Sequence, residues 1–148
     1  MEGGSGVSND IAGVEAANEE LYAAFEAGDL DRMAALWVGG PDGAMAKCIH
    51  PGGGTIRGVD AVLRSWALVM ANADDMQFIV TDVESVVQEE MATVSCTEII
   101  IRPGGGPDPF TSSHAVATNG FIRVGGQWRM WLHHASPVMI DSGIGDDE

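Results

Sequence analysis

Three stretches of this 148-residue chain carry side chains able to move a proton. The first is "CIHPGGGTIRG" over residues 48–58, where His50 stands in front of Pro51 and three glycines. A histidine titrates near neutrality, where a general base works best. The glycines let a ligand approach closely, but "GGG" is not a phosphate-binding loop. The other reading of His50 is structural: a ring bonded to backbone where a strand turns into a glycine loop. The second stretch is "VSCTEIII", which sets Glu98 among apolar and β-branched neighbours. A carboxylate there is costly unless it is paired or protonated. The third is the pair His133-His134 in "WLHHASP". Adjacent side chains on a strand point to opposite faces, so the two cannot chelate one ion. A site built from His50, Glu98 and His134 has no recognisable ligand spacing, and no metal or other cofactor is expected.

Alternation along the flanking segments sorts the remaining candidates. Cys96, Glu98 and Ile100 share one strand face, as do Ala117, Asn119 and Phe121. Trp128, Met130, Leu132 and His134 share another, which leaves Arg129, Trp131 and His133 opposite. On this pattern His134 or Asn119 partners Glu98. His50, Glu98 and His134 are therefore the candidate catalytic groups. Tyr22, Trp37, Trp66, Asn119 and Phe121 are the candidate ligand-binding residues; the aromatics read first as core, part of which must line any cavity. Trp131, outward beside His133, is a candidate dimer contact.

The elements that must position these groups follow from two periods. From about Asn9 to Ala27, Ile11, Val14, Leu21 and Phe25 recur at helical intervals, with Gly28 as a stop. Asp29 then caps a short helix, "LDRMAALW", carrying Leu30, Met33, Ala34 and Trp37 on one side. A third helix begins near Val59 or Asp60, with Val59, Val62, Leu63, Trp66, Val69 and Met70 as its apolar stripe. The second half changes period. "MQFIVTDVESVV", "ATVSCTEIIIR", "HAVATNGFIRV" and "QWRMWLHHASPV" read as successive strands, broken by Glu89-Glu90, "RPGGGPDP" and Gly125-Gly126. Short turns favour antiparallel pairing, so the expected class is α+β, with three N-terminal helices packed on a curved sheet. "RPGGGPDP" is a candidate mobile loop or lid. Residues 1–8 and the acidic 141–148 read as loose tails around one domain over 9–140.

Composition narrows the partners. The chain has 22 acidic and 7 basic residues, a formal charge of −15. It lacks the clustered cations that nucleic acid requires, and an anionic membrane surface would repel it. Cys48 and Cys96 show no paired spacing, which fits free thiols in a reducing compartment. "MEGGSGVSND" has neither the cationic end nor the apolar segment of a secretory signal, and no apolar run reaches membrane-span length. A soluble, cytoplasmic protein is expected.

"LYAAFEAGDLDRMAALW", "HPGG…RGVDAVLRSW" and "GGQWRMWLHHASP" together resemble the SnoaL-like branch of the nuclear transport factor 2-like superfamily, over roughly residues 10–138. The resemblance implies a cystatin-like cone: three helices wrapped by a strongly curved, mixed or antiparallel sheet. It also implies a pocket inside the cone and homodimers formed through the outer sheet face. Set against the ketosteroid isomerases of that superfamily, His50 falls on the general-base aspartate and Asn119 on the aspartic acid that donates to the oxyanion. The tyrosine donor falls on Leu21, one residue short of Tyr22. Asn can still donate a hydrogen bond and Leu cannot, which disfavours true steroid isomerisation. Set against the calcium/calmodulin-dependent kinase association domain, His134 and Ser136 match a closing His-x-Ser pattern, and its pocket arginines fall on Glu98 and Asn119. Three functions remain open: a cofactor-independent isomerase, dehydratase or hydrolase acting on a small apolar substrate; a small-ligand binder without chemistry; or a cone plugged by its own aromatics that only dimerises.

Overall fold

The structure is a computed structural model and describes residues 2–139, with side chains placed from Asn9 onward. Helix α1 spans Glu2–Ala27, α2 Leu30–Leu36 and α3 Val59–Ala71. Helix α1 starts earlier than the apolar pattern predicts, and the backbone of residues 2–8, expected to be loose, is helical. The stripe begins at Ile11, so it carries no signal for those turns; once a helix is nucleated, each added residue costs little. Residues 141–148 lie outside the described residues. Val14, Asn18, Leu21, Tyr22 and Phe25 of α1 form one buried or nearly buried stripe. Gly28, at φ 63°, ends the helix, with its N–H bonded to the Phe25 carbonyl. The Asp29 carboxylate accepts from the Arg32 N–H and caps α2. Trp37 leaves the helix in extended conformation, and Val38 N–H bonds to the Met130 carbonyl.

Six strands make one mixed sheet. They are β1 (Lys47–Ile49), β2 (Ile56–Arg57), β3 (Gln77–Gln88), β4 (Met91–Pro103), β5 (Phe110–Val124) and β6 (Gln127–Pro137), in the order β2-β1-β6-β5-β4-β3. The four long strands are antiparallel neighbours, while β1 runs parallel to β6, pairing Cys48 with His133 and Ile49 with His134. The expected fold class is present: helices pack on the inner face of a curved sheet. The β4–β5 strands run further into "RPGGGPDP" than predicted, leaving residues 104–109 as a hairpin loop tied by Gly104 N–H to the Pro109 carbonyl.

Two bulges bend the sheet, and each reverses the alternation of its strand. On β3 the register shifts between Thr81 and Glu84, where Asp82 takes φ 56° and its carboxylate accepts from Thr97 Oγ1. On the opposite side of the sheet, Gly120 pairs with Leu132 but Phe121 pairs with Met130, so Trp131 is an extra residue on β6. A Cβ on Gly120 would lie 2.9 Å from Trp131 Nε1, so the glycine makes room for the indole. Past this bulge the inward residues are His133 and Ala135, not Leu132 and His134. This corrects the predicted alternation: His134 is exposed, and His133 is buried.

Candidate functional site

A cavity of about 310 Å³ lies between the helices and the inner face of the sheet. The cone is therefore open rather than plugged. Helix α1 contributes Leu21, Tyr22 and Phe25, and α3 contributes Trp66 and Val69. The sheet adds Phe78, Glu98, Ile100 and His133, and the turn after β1 adds His50 and Pro51. Of the predicted site residues, His50, Glu98, Tyr22 and Trp66 meet on this cavity. Asn119 is fully buried but sits behind the wall. Trp37 and Phe121 are also buried away from the cavity, because Trp37 packs beside Met130 and Phe121 closes the core. His134 faces away for the reason given by the Trp131 bulge.

Glu98 has a different partner from the two predicted. Tyr22 OH donates to Glu98 Oε2 at 2.6 Å, from one buried side chain to another. Burial pushes the Glu98 carboxyl above the ordinary carboxylate range, and the Tyr22 bond opposes this only in part. Burial also pushes the Tyr22 phenol up, with the Glu98 charge adding to the shift, so Tyr22 stays protonated as a donor. Behind Tyr22 runs a polar relay. Asn119 Nδ2 donates to Asn18 Oδ1 at 2.7 Å and lies 3.5 Å from Tyr22 OH. Asn119 Oδ1 is then the acceptor for His133 Nδ1, 2.7 Å away. That bond fixes His133 as the tautomer with hydrogen on Nδ1 and leaves Nε2 as an acceptor. Burial, with smaller effects from His50 and His134, lowers the His133 pKa to about 3. Asn119 thus spends its donors inside the protein and orients its neighbours instead of holding a ligand.

His50 follows β1 directly, so the pairing of β1 with β6 brings it across from His133; the two ring centres are 6.3 Å apart. Ser65 Oγ donates to the Val62 carbonyl at 2.7 Å and lies 3.0 Å from His50 Nε2. With the Ser65 hydrogen committed to helix backbone, His50 Nε2–H is the donor and Nδ1 carries the lone pair, with Cys48 Sγ 4.0 Å away. Trp66 packs edge-on against the ring at 4.7 Å between centroids. Burial lowers the His50 pKa, which favours the neutral ring, the form able to accept a proton. Cys48 Sγ lies 3.6 Å from His50 Nε2, but burial pushes this thiol up to about 12 and makes it no nucleophile.

Sequence reasoning missed Asn18, Ser65 and His133. Asn18 had a signal, a polar residue on the apolar stripe of α1 between Val14 and Tyr22. Ser65 had none, since serine on a helix beside Trp66 reads as surface. No group of three or more metal-ligating side chains occurs among the described residues. Among them, too, no helix is long and apolar enough to cross a membrane.

Comparison with known proteins agrees with this architecture. The family profile of the SnoaL-like domain matches residues 14–141. A solved structure from Streptomyces avermitilis, provisionally named a dehydratase of the NTF2-like family, is 39% identical with a TM-score of 0.81. The match covers 90% of this chain and 99% of that one. A provisionally named calcium/calmodulin-dependent protein kinase type II association domain from Thiobacillus denitrificans is 34% identical, with a TM-score of 0.72, covering 84% of this chain and 94% of that one. The Arabidopsis thaliana F-box protein SKIP8 is 31% identical over 124 residues, 84% of this chain. The chain spans about half (49%) of the length of that curated relative.

Proposed function

Since the chain belongs to the SnoaL-like family of the NTF2-like superfamily, we propose that its cone binds a small, mostly apolar molecule and moves a proton on it, as a cofactor-independent dehydratase. The observation that carries this reading is the convergence on one cavity of His50, whose pKa burial lowers, and Glu98, whose pKa burial raises. Burial raises an acid and lowers a base, which shifts each toward the form that proton transfer needs. In the reaction, the free His50 nitrogen takes the proton from a carbon beside a carbonyl. The C–H electron pair becomes a C=C bond, and the neighbouring C–O bond breaks. Glu98, steadied by Tyr22, gives its proton to the departing hydroxyl, which leaves as water. Solvent then returns one proton to Glu98 and removes one from His50. The 39% identical relative provisionally named a dehydratase supports dehydration over isomerisation or hydrolysis.

The test is turnover of β-hydroxy carbonyl compounds, followed by NMR in D2O. His50→Ala or Glu98→Gln should each reduce turnover by about 10²–10⁴-fold with the fold retained. Full activity in both variants would remove the assignment. A second reading, a pocket that binds without converting, is favoured by the 34% identical association-domain relative. It would be supported by a ligand that binds both variants as well as the parent and is recovered unchanged. We further propose that a second copy covers the outer sheet face, and that the protein works in the cytoplasm, where the buried free thiols Cys48 and Cys96 stay reduced.

A further inference from the structure

Arg102 is the one arginine or lysine among the residues lining the cavity. It continues the inward face of β4 through Glu98, Ile100 and Arg102, which sets it four residues, about 13 Å of strand, from the acid. Its Nη1 reaches Ser113 Oγ at 3.4 Å on the neighbouring strand. Arg32 and Arg123 are tied to carboxylates, whereas Arg102, like Lys47, Arg57, Arg64 and Arg129, takes part in no ion pair among the described residues. What sets Arg102 apart from the other basic residues is its place on the cavity wall. Between Arg102 and the Glu98–Tyr22 pair, the wall is apolar: Val69, Met76, Phe78 and Ile100. The cavity thus has a cationic group at one end, an apolar wall, and the buried Glu98–Tyr22 pair at the other.

We propose that Arg102, with Ser113 beside it, binds a carboxylate on the substrate, so that the pocket selects small acids whose reacting carbons lie beyond an apolar spacer. This rests on the proton-transfer reading of the same cavity. A guanidinium fork matches a carboxylate with two parallel hydrogen bonds. It also offsets, at the mouth, the repulsion that a charge of −15 exerts on any anion. A neutral substrate would need neither.

The probes are 4-phenylbutyrate and its methyl ester, titrated calorimetrically into the whole chain, with the Trp66 indole NMR signal reporting entry into the cavity. The parent protein should bind the acid about tenfold more tightly than the ester. Arg102→Met should erase that preference while leaving ester affinity unchanged, and Arg102→Lys should restore part of it. Binding of acid and ester alike by the parent, or an unchanged preference in Arg102→Met, would overturn the role of Arg102 and leave the pocket standing. If neither probe moves the Trp66 signal at millimolar concentration, the small-molecule pocket fails, and this inference with it.

Discussion

His133 enters the fold as a neutral ring, and that choice has a pH signature. Its pKa falls from 6.5 to about 3, chiefly through burial. Below pH 6.5 the unfolded chain takes up a proton that the native state refuses. Stability from this group is therefore complete above 6.5 and lost as pH falls toward 3. Glu98 acts in the opposite sense: its raised pKa gives a contribution that is complete below 4.5 and lost as pH rises through its folded value. Comparison with His133→Gln isolates the histidine. Between pH 7 and pH 5, the parent should lose on the order of 2 kcal/mol more than the variant in urea unfolding. Parallel losses would show that the ring protonates inside the fold. Tyr22→Phe tests the other end of the relay. It removes the donor that lowers the Glu98 pKa, so the carboxyl should titrate still higher by NMR, at a cost of about 1–3 kcal/mol in stability.

At the scale of the element, the bulge at Trp131 decides which histidine belongs to the site. The β4 pattern was legible because regular alternation places Ala92, Val94, Cys96, Glu98 and Ile100 inward without interruption. The same rule fails on β6, since one extra residue inverts every position after it. Gly120 is the sequence trace of that bulge, yet a lone glycine in a strand does not say which partner strand carries the extra residue. Tyr22 was legible only as one of the aromatics that must line any cavity, and its bond to Glu98 joins residues 76 apart in sequence, beyond any local pattern. His50 needed β1, a three-residue strand too short for a periodic signal. Gly120→Ala tests the bulge directly. The added methyl meets Trp131 and Leu132, so a loss of about 1–3 kcal/mol is expected, together with a shift in tryptophan fluorescence. An unchanged unfolding curve would mean that the indole does not depend on the glycine.

At the scale of the whole molecule, charge is distributed with one conspicuous gap. Alternation along β4, β5 and the part of β6 beyond the bulge gives the outer face Thr93, Ile99, Ile101, Val116, Thr118 and Leu132, with His114 and His134. No Asp, Glu, Lys or Arg occupies an outward position on these strands, and the nearest acids stand on β3, where the Asp82 carboxylate accepts from Thr97 and Glu84 pairs with Ser95. Val116 is half exposed on this face, and Ile79 of the neighbouring β3 is nearly as open. Two copies with a charge of −15 each repel wherever their acids meet, so the β5–β6 part of this face, away from Asp82 and Glu84, is the surface on which they can stack at least cost. A two-fold axis would set Val116 near the corresponding strand of its mate, burying apolar area on both. Val116→Glu places a like charge on each side of that contact while leaving the cavity wall untouched. Sedimentation velocity should show a dimer for the parent and a monomer for the variant, with equal far-UV circular dichroism. A parent that sediments as a monomer at micromolar concentration would leave the outer face as exposed sheet and defeat the proposed pairing.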